Sequence, residues 1–444
     1  MKRKLVNVLM GLLVAVFLVA QTKAQNQPNE AVLKQFENYR QTTIQEKIYL
    51  HTDKTFYLAG ELCWFKIYNV DAVVHKPLDF SKLAYVEILD RDNRSVLQTK
   101  VALKNGDGNG SLQLPFTLIS GRYKLRAYTN WMKNFSADYF FEKTLTIVNS
   151  RKPAEDTIIQ TKKKYDLQFF PEGGNLVNKV ESKVAVRMVD KNGKGINTSG
   201  VIINAANDTI LRFKTEKFGI GHFILKPEPS QTYRALVAIP HEETVSVQLP
   251  EAYKNGYVMQ LANHDAEQLK VTVKIAGNDF DFNPVYLFAH TRNSIKLALA
   301  GKLQNGTLVF LIAKDKLGEG ITHFTLFDTD NHPVCERLYF KYPEKQLQVK
   351  MTTDSAGYGI RNKVNVNISI TDSNGDPKKS KMSMAVYLTD SLQPKDEMDI
   401  GNYLWLTSDL TGTIESPQYY FSNNTPEVRE AMDNLMLTHG WRRF

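Results

Sequence analysis

The sequence predicts an all-β fold, built as tandem antiparallel β-sandwiches with short helical segments at both ends. Three observations carry that expectation. Between Lys47 and Leu388 apolar residues recur with a period of two, in runs rich in Val, Ile, Tyr, Phe and Thr. No helical pattern of about 10–15 residues separates these runs, which excludes a parallel sheet fed by crossover helices. An apolar strand also runs into an acidic turn four times, at Asp90, Asp190, Asp328 and Asp372, each followed by Asn or Gly residues that tolerate tight hairpins. None of these turns places a Glu at the twelfth position, so they read as hairpin chemistry rather than calcium loops. The Gly-rich stretch Asn105–Gly110 reads as a loop.

Composition bounds the rest. Of 444 residues, 42% are hydrophobic and 23% charged, with 25 Gly, 16 Pro and 2 Cys, which excludes wholesale disorder, collagen-like repeats and a disulfide scaffold. At roughly 100–150 residues per domain the chain holds about three or four domains. Residues 1–24 read as a signal peptide: Met1-Lys2-Arg3-Lys4 is basic, Leu5 to Ala20 is apolar, and Thr22-Lys23-Ala24 suits cleavage. The apolar run is shorter than the ~20 residues a spanning helix needs. No second such stretch follows, so the mature chain is expected to be exported with no transmembrane segment. Removing Lys2, Arg3, Lys4 and Lys23 takes the net charge from +9 to 9 − 4 = +5, too mild and too spread to argue for nucleic acid.

The elements then follow in order. Residues 25–46 are a helical leader, with Val32, Phe36 and Tyr39 on one face and Glu30 and Glu37 opposite. Residues 47–149 form the first sandwich. Its strand runs are Lys47–Thr52, Glu61–Val70, Leu83–Leu89, Tyr123–Tyr128 and Lys143–Val148. Residues 150–164 are a basic linker. Sandwiches at 165–250 and 251–343 come next, then a fourth, partial one at 344–395 that includes Val364–Ile370 and Met382–Leu388. Residues 396–444 leave the strand pattern for a helical tail. Cys63 and Cys335 lie in separate strand runs and read as two buried small hydrophobes, not a bridge.

The search for chemistry is negative. There is no Gly-x-Ser-x-Gly elbow, no P-loop and no dinucleotide glycine fingerprint. His241-Glu242-Glu243-Thr244-Val245 lacks the second His of a zinc-protease helix, and the nine histidines are never paired at ligand spacing. No nucleophile, base and orienter can be nominated together. The expectation is a protein that is not an enzyme, with no catalytic, cofactor or metal-binding residues.

The informative stretch is Thr52-Asp53-Lys54-Thr55-Phe56-Tyr57-Leu58-Ala59-Gly60, followed later by Gly121-Arg122-Tyr123. Gly60 supplies a turn, Asp53 can cap its own loop, and Tyr123, Leu125 and Ala127 point inward while Arg122, Lys124 and Arg126 face out. The stretch resembles the second macroglobulin-type domain of the α2-macroglobulin family, whose Thr-Asp-Lys-Pro-x-Tyr-x-Pro-Gly turn joins the first two strands. Asp53, Lys54, Tyr57, Gly60, Gly121 and Tyr123 match that pattern, whereas Thr55 and Ala59 replace its prolines. The phrases Phe170-Pro171-Glu172-Gly173-Gly174, Glu336-Arg337-Leu338 and Leu437-Thr438-His439-Gly440-Trp441-Arg442-Arg443-Phe444 resemble a Bacteroidota branch, in which such sandwiches often precede a TonB-receptor plug. The resemblance implies macroglobulin-like, immunoglobulin-like sandwiches. It also implies a non-enzymatic protein-binding module, periplasmic or outer-membrane-associated, whose partner is an outer-membrane receptor component or a protease. Neither cysteine sits in the family's Cys-Gly-Glu-Gln thioester. An endopeptidase inhibitor without thioester and a glycan-binding accessory protein are the alternatives.

Trp131 and Phe135, just past a strand end, and Trp441 are the candidate interaction residues. Thr425, Pro426 and Gly440 bracket a terminal helix whose Val428, Ala431, Met432, Leu435 and Met436 form one apolar stripe. That stripe is expected to fold back onto the preceding sandwich and leave Trp441 partly available.

Overall fold

A computed structural model describes residues 30–152, 165–239, 244–277, 284–388 and 398–441. The expected signal peptide, residues 153–164 of the linker, residues 241–243 and residues 442–444 lie outside the described residues. The chain divides into two compact units. One holds Gln45–Ile158 and Lys341–Asp409; the other holds Met1–Ile44, Ile159–Phe340 and Leu410–Phe444. Regular helix among the described residues is confined to α1 (Glu30–Thr42), α2 (Ile400–Trp405) and α3 (Pro426–His439).

In the first unit, β1 (Glu46–Thr52), β2 (Phe56–Leu58), β3 (Leu62–Asp71), β4 (Leu83–Leu89), β5 (Ser95–Ala102), β6 (Asp107–Gln113), β7 (Gly121–Thr129) and β8 (Phe141–Val148) build a sandwich. Its sheets run β1-β3-β6 and β2-β8-β7-β4-β5, antiparallel except for the β2–β8 pair. Alternation on β3 sends Cys63, Phe65 and Ile67 into the core and leaves Trp64 outside. The stretch Asp107–Gly110, expected as a loop, is instead the start of β6. Its glycines are demanded by packing: a Cβ on Gly108 would stand 2.9 Å from Leu103 and 3.0 Å from Val101, and one on Gly110 2.9 Å from the Phe65 ring. Helix α2 lays Tyr403 and Leu404 onto this core, where Tyr403 meets Tyr49 and Phe141.

In the second unit, two sandwiches follow. The first uses β9 (Tyr165–Pro171), β10 (Leu176–Val177), β11 (Ser182–Asp190), β12 (Ser199–Ile203), β13 (Thr209–Lys214), β14 (Ile220–Leu225), β15 (Arg234–Val237), β16 (Val245–Gln248) and β17 (Ala252–Tyr253). Its main sheets run β14-β11-β9 and β13-β12-β15-β16. The second uses β18 (Gly256–Asn263), β19 (Gln268–Ala276), β20 (Pro284–Thr291), β21 (Ser294–Lys302), β22 (Thr307–Ala313), β23 (Gly320–Phe327) and β24 (Pro333–Lys341). Here the sheets run β18-β19-β22 and β21-β20-β23-β24. The leader helix α1 sets Phe36 against Phe288 and His290 of β20. Helix α3 does fold back, but not onto the sandwich nearest in sequence: it packs on β9, β11 and β14. Its buried surface is wider than the expected stripe, because Asn434, Leu437 and Thr438 are covered as well.

Returning to the first unit, β25 (Gln348–Thr353) and β26 (Val366–Thr371) form a hairpin that pairs with no further strand among the described residues. Met382–Leu388, expected as a strand, joins no ladder; only its alternation survives, with Ser383 touching His51 and Tyr68 while Met382, Met384 and Val386 are exposed.

Candidate functional site

The four Asp turns share one geometry. Asp90, Asp190, Asp328 and Asp372 each accept, on one carboxylate oxygen, the backbone N–H groups two and four residues on, at 2.8–3.1 Å. The residue three further on, Asn93, Gly193, Asn331 or Gly375, takes positive φ. A related turn at Asn204 accepts the Asp208 N–H on its amide oxygen at 2.9 Å, with Asn207 at φ +69, and carries no acidic signature because an amide replaces the carboxylate. Backbone N–H donors at the turn hold Asp90 and Asp190 below the usual carboxylate range. Asp328, Asp330 and His332 place ligand atoms within 4.8 Å of one another, but Asp328 already spends one oxygen on its own turn.

The residues of the Thr52–Gly60 stretch form a closed knot. Tyr57, fully buried, donates to Asp53 Oδ1 at 2.6 Å, and the same oxygen accepts the Trp64 N–H at 3.0 Å. Lys54 Nζ reaches Glu61 at 2.8 Å, and that carboxylate also accepts the Leu58 N–H. Gly60, at φ +96, lies so close to the Phe116 ring that a Cβ would stand 2.3 Å away. Burial raises the Tyr57 phenol well above its ordinary value, with the Cys63 thiol and Asp53 adding to it. Gly121 opens β7, and Tyr123 donates to the Ile119 carbonyl at 2.9 Å, tying the strand to its own entry turn. The polar ends of Asp53, Lys54, Tyr57 and Tyr123 are all engaged within the sandwich. Their chemistry is to hold the two sheets, not to meet a ligand.

Trp131 and Phe135 are both half-buried; Trp131 opens a 3-10 turn and packs edge-on against Phe80. Outward Lys124 and Arg126 pair with Glu142 across the strand.

The site with the strongest electrostatics lies elsewhere, where three quoted phrases converge. Arg337 on β24 sends Nε to Glu172 at 2.9 Å and a second guanidinium nitrogen to Asp433 of α3; Lys183 on β11 reaches the other Asp433 oxygen at 3.1 Å. Glu172 and Arg337 side chains are each only 2% exposed. Burial alone would lower the Arg337 pKa, but the flanking carboxylates win and raise it; the same contest holds Asp433 below the usual range through Arg337 and Lys183. Glu336 N–H donates to the Gly173 carbonyl, and Trp441 Nε1–H donates to Gly174 O at 3.2 Å with its ring edge-on to Phe170. Gly440 ends α3 as expected, with φ −108, and a Cβ there would stand 2.0 Å from Leu338. Trp441 is therefore half-buried with its polar end spent inside the unit. One signal was present for Arg337: a charge sharing strand parity with Cys335 and Tyr339 in an apolar run. Lys183 and Asp433 carried none. The carboxylates of Glu172 and Asp433 are both held by cations. What the arrangement does is pin α3.

No protein-family model and no curated protein matches the chain. Solved structures that match include Salmonella alpha-2-macroglobulin reacted with methylamine, at 12% identity over 73% of this chain and 25% of that one, TM-score 0.20. Escherichia coli alpha-2-macroglobulin activated by porcine elastase matches at 11%, over 76% and 34%, TM-score 0.25. Dimeric latent PorU from Porphyromonas gingivalis matches at 12%, over 66% and 33%, TM-score 0.30. The chain spans about a quarter of the length of the solved structures it matches first. TM-scores at this level carry no weight, and the sandwich architecture stands on the registers of this chain itself.

Proposed function

We propose that this chain is an exported, non-catalytic protein-binding module of macroglobulin-like sandwiches, working at the periplasmic face of the outer membrane beside a receptor of TonB-dependent type. The observation that carries the reading is the bare face of the β25–β26 hairpin. Register places Val349, Met351, Val366, Ile368 and Ile370 on one face and Gln348, Lys350, Asn367 and Ser369 on the other. The apolar face is left open: Val349 is 64%, Met351 61% and Ile368 39% exposed. A lone two-stranded hairpin is marginal in water, and covering these three side chains would contribute about 3–4 kcal/mol. That is the driving force for a protein partner. The Thr52–Gly60 motif supports the macroglobulin-like assignment, and the amino-terminal signal supports export.

A photocrosslinking amino acid placed in the full-length chain at position 349, 351 or 368 tests the reading in intact cells. Adducts with an outer-membrane protein from those positions, and none from 350 or 369, are expected. Equal yields from both faces, or no adduct from either, would overturn it.

A further inference from the structure

The open side of the first sandwich holds a cleft of about 660 Å³ that the proposed function does not use. It runs between β5, the last strand of the five-stranded sheet, and β6, the last strand of the three-stranded sheet. Only residues 103–106 join the two strands, so both edges open on one side. Thr99, Lys100 and Ala102 line one wall, and Asp107 and Asn109 the other. Gly108 and Gly110 let β6 sink toward Val101 and Phe65, which leaves the groove above it. As an edge strand, β5 turns every second backbone N–H and C=O pair away from β4.

The charge of this groove is one-sided. Lys100, Lys104 and Lys381 line it against Asp107, which also pairs with Lys66. Lys381 reaches Asp107 at 2.6 Å and the Asn105 carbonyl at 2.9 Å, and Lys82 pairs with Asp79 at 2.6 Å. Lys100 and Lys104 have no carboxylate partner among the described residues. Lysines on an edge repel a basic strand and lose hydration without return against a neutral one, and so they favour an acidic one.

We propose that this groove binds an extended acidic polypeptide segment, which pairs its backbone with the edge of β5 while its carboxylates meet Lys100 and Lys104. Main-chain hydrogen bonds supply the affinity and the lysines the selectivity. The groove is a different surface from the bare hairpin face, so the two readings fail separately.

Fluorescence anisotropy with a labelled six-residue peptide of alternating Glu and Val tests it on the full chain. Lys100→Glu with Lys104→Glu is expected to weaken binding about tenfold, the 1.4 kcal/mol of two reversed surface pairs. The same peptide N-methylated at alternate amides is expected to bind at least as poorly. Val349→Asp, with unchanged circular dichroism, should leave binding intact. If the methylated peptide binds as tightly as its parent, strand addition is refuted. If the double charge reversal has no effect, if Val349→Asp abolishes binding, or if an alternating Lys and Val peptide binds equally well, the groove is not the site.

Discussion

Removing the Arg337 guanidinium is the perturbation with the largest expected effect. The side chain is 2% exposed and spans Glu172, also 2% exposed, and Asp433 on the terminal helix. Arg337→Ala strands a carboxylate in the protein interior without its cation. Breaking a buried pair in this way costs about 3–5 kcal/mol, because the remaining charge keeps its desolvation penalty and loses its attraction. For a unit of this size each kcal/mol moves the midpoint by about 2–4 °C, so a fall of about 10 °C is expected. Trp441 supplies a local reporter, because Trp64, Trp131 and Trp405 all belong to the other unit and can be replaced by Phe. Calorimetry should show one transition shifted, and Trp441 emission should follow that transition. Arg337→Lys should recover only part of the loss, since an ammonium lacks the planar, preorganised fork that reaches both acids at once. The double variant Glu172→Gln with Arg337→Met should be more stable than Arg337→Ala. A single Arg337→Ala midpoint within about 3 °C of wild type would refute the claim that this network pins α3.

Three further outcomes are expected. Burial, reinforced by the nearby Arg187, lowers the His439 pKa from 6.5 to about 4, so the unfolded chain takes up a proton between those values that the folded chain refuses. Stability of the second unit is then complete above about pH 6.5 and declines by up to about 3 kcal/mol toward pH 4; urea titrations at fixed pH check this, and a His439→Gln variant should flatten the slope. Burial pushes the Cys63 thiol up to about 11 and the Cys335 thiol up to about 12, and neither is bridged. Native protein should therefore resist a thiol reagent at pH 8 and titrate two thiols once denatured; reaction in the native state, or none in denaturant, would contradict it. Tyr57→Phe removes the hydroxyl that satisfies Asp53 and should cost the first unit about 1–2 kcal/mol in chemical denaturation, with no change in the second unit's transition.

What the sequence determined by itself is whatever acts over a few residues. The Asp turns were legible because each carboxylate caps amides two and four positions away. The alternation on β3 and the ends of α3, with Thr425 capping the Val428 N–H, are equally local. Tertiary structure decided everything that depends on which surfaces meet. Gly108 and Gly110 looked like loop glycines because the side chains that forbid a Cβ there, Val101 and Phe65 among them, come from other strands. Gly440 reads locally as the helix end it is, but the second reason for a glycine there, the approach of Leu338, lies far off in the chain. Arg337 meets Glu172 across 165 residues and Asp433 across 96, and Lys183 meets Asp433 across 250. A periodic pattern tells a helix or strand that it has an apolar face, but any apolar face of the right shape will cover it. On the seat formed by β9, β11 and β14 the charge of α3 is met as well as its apolar face, because Asp433 finds Lys183 and Arg337 there, and a charge drawn out of water is costly without such partners.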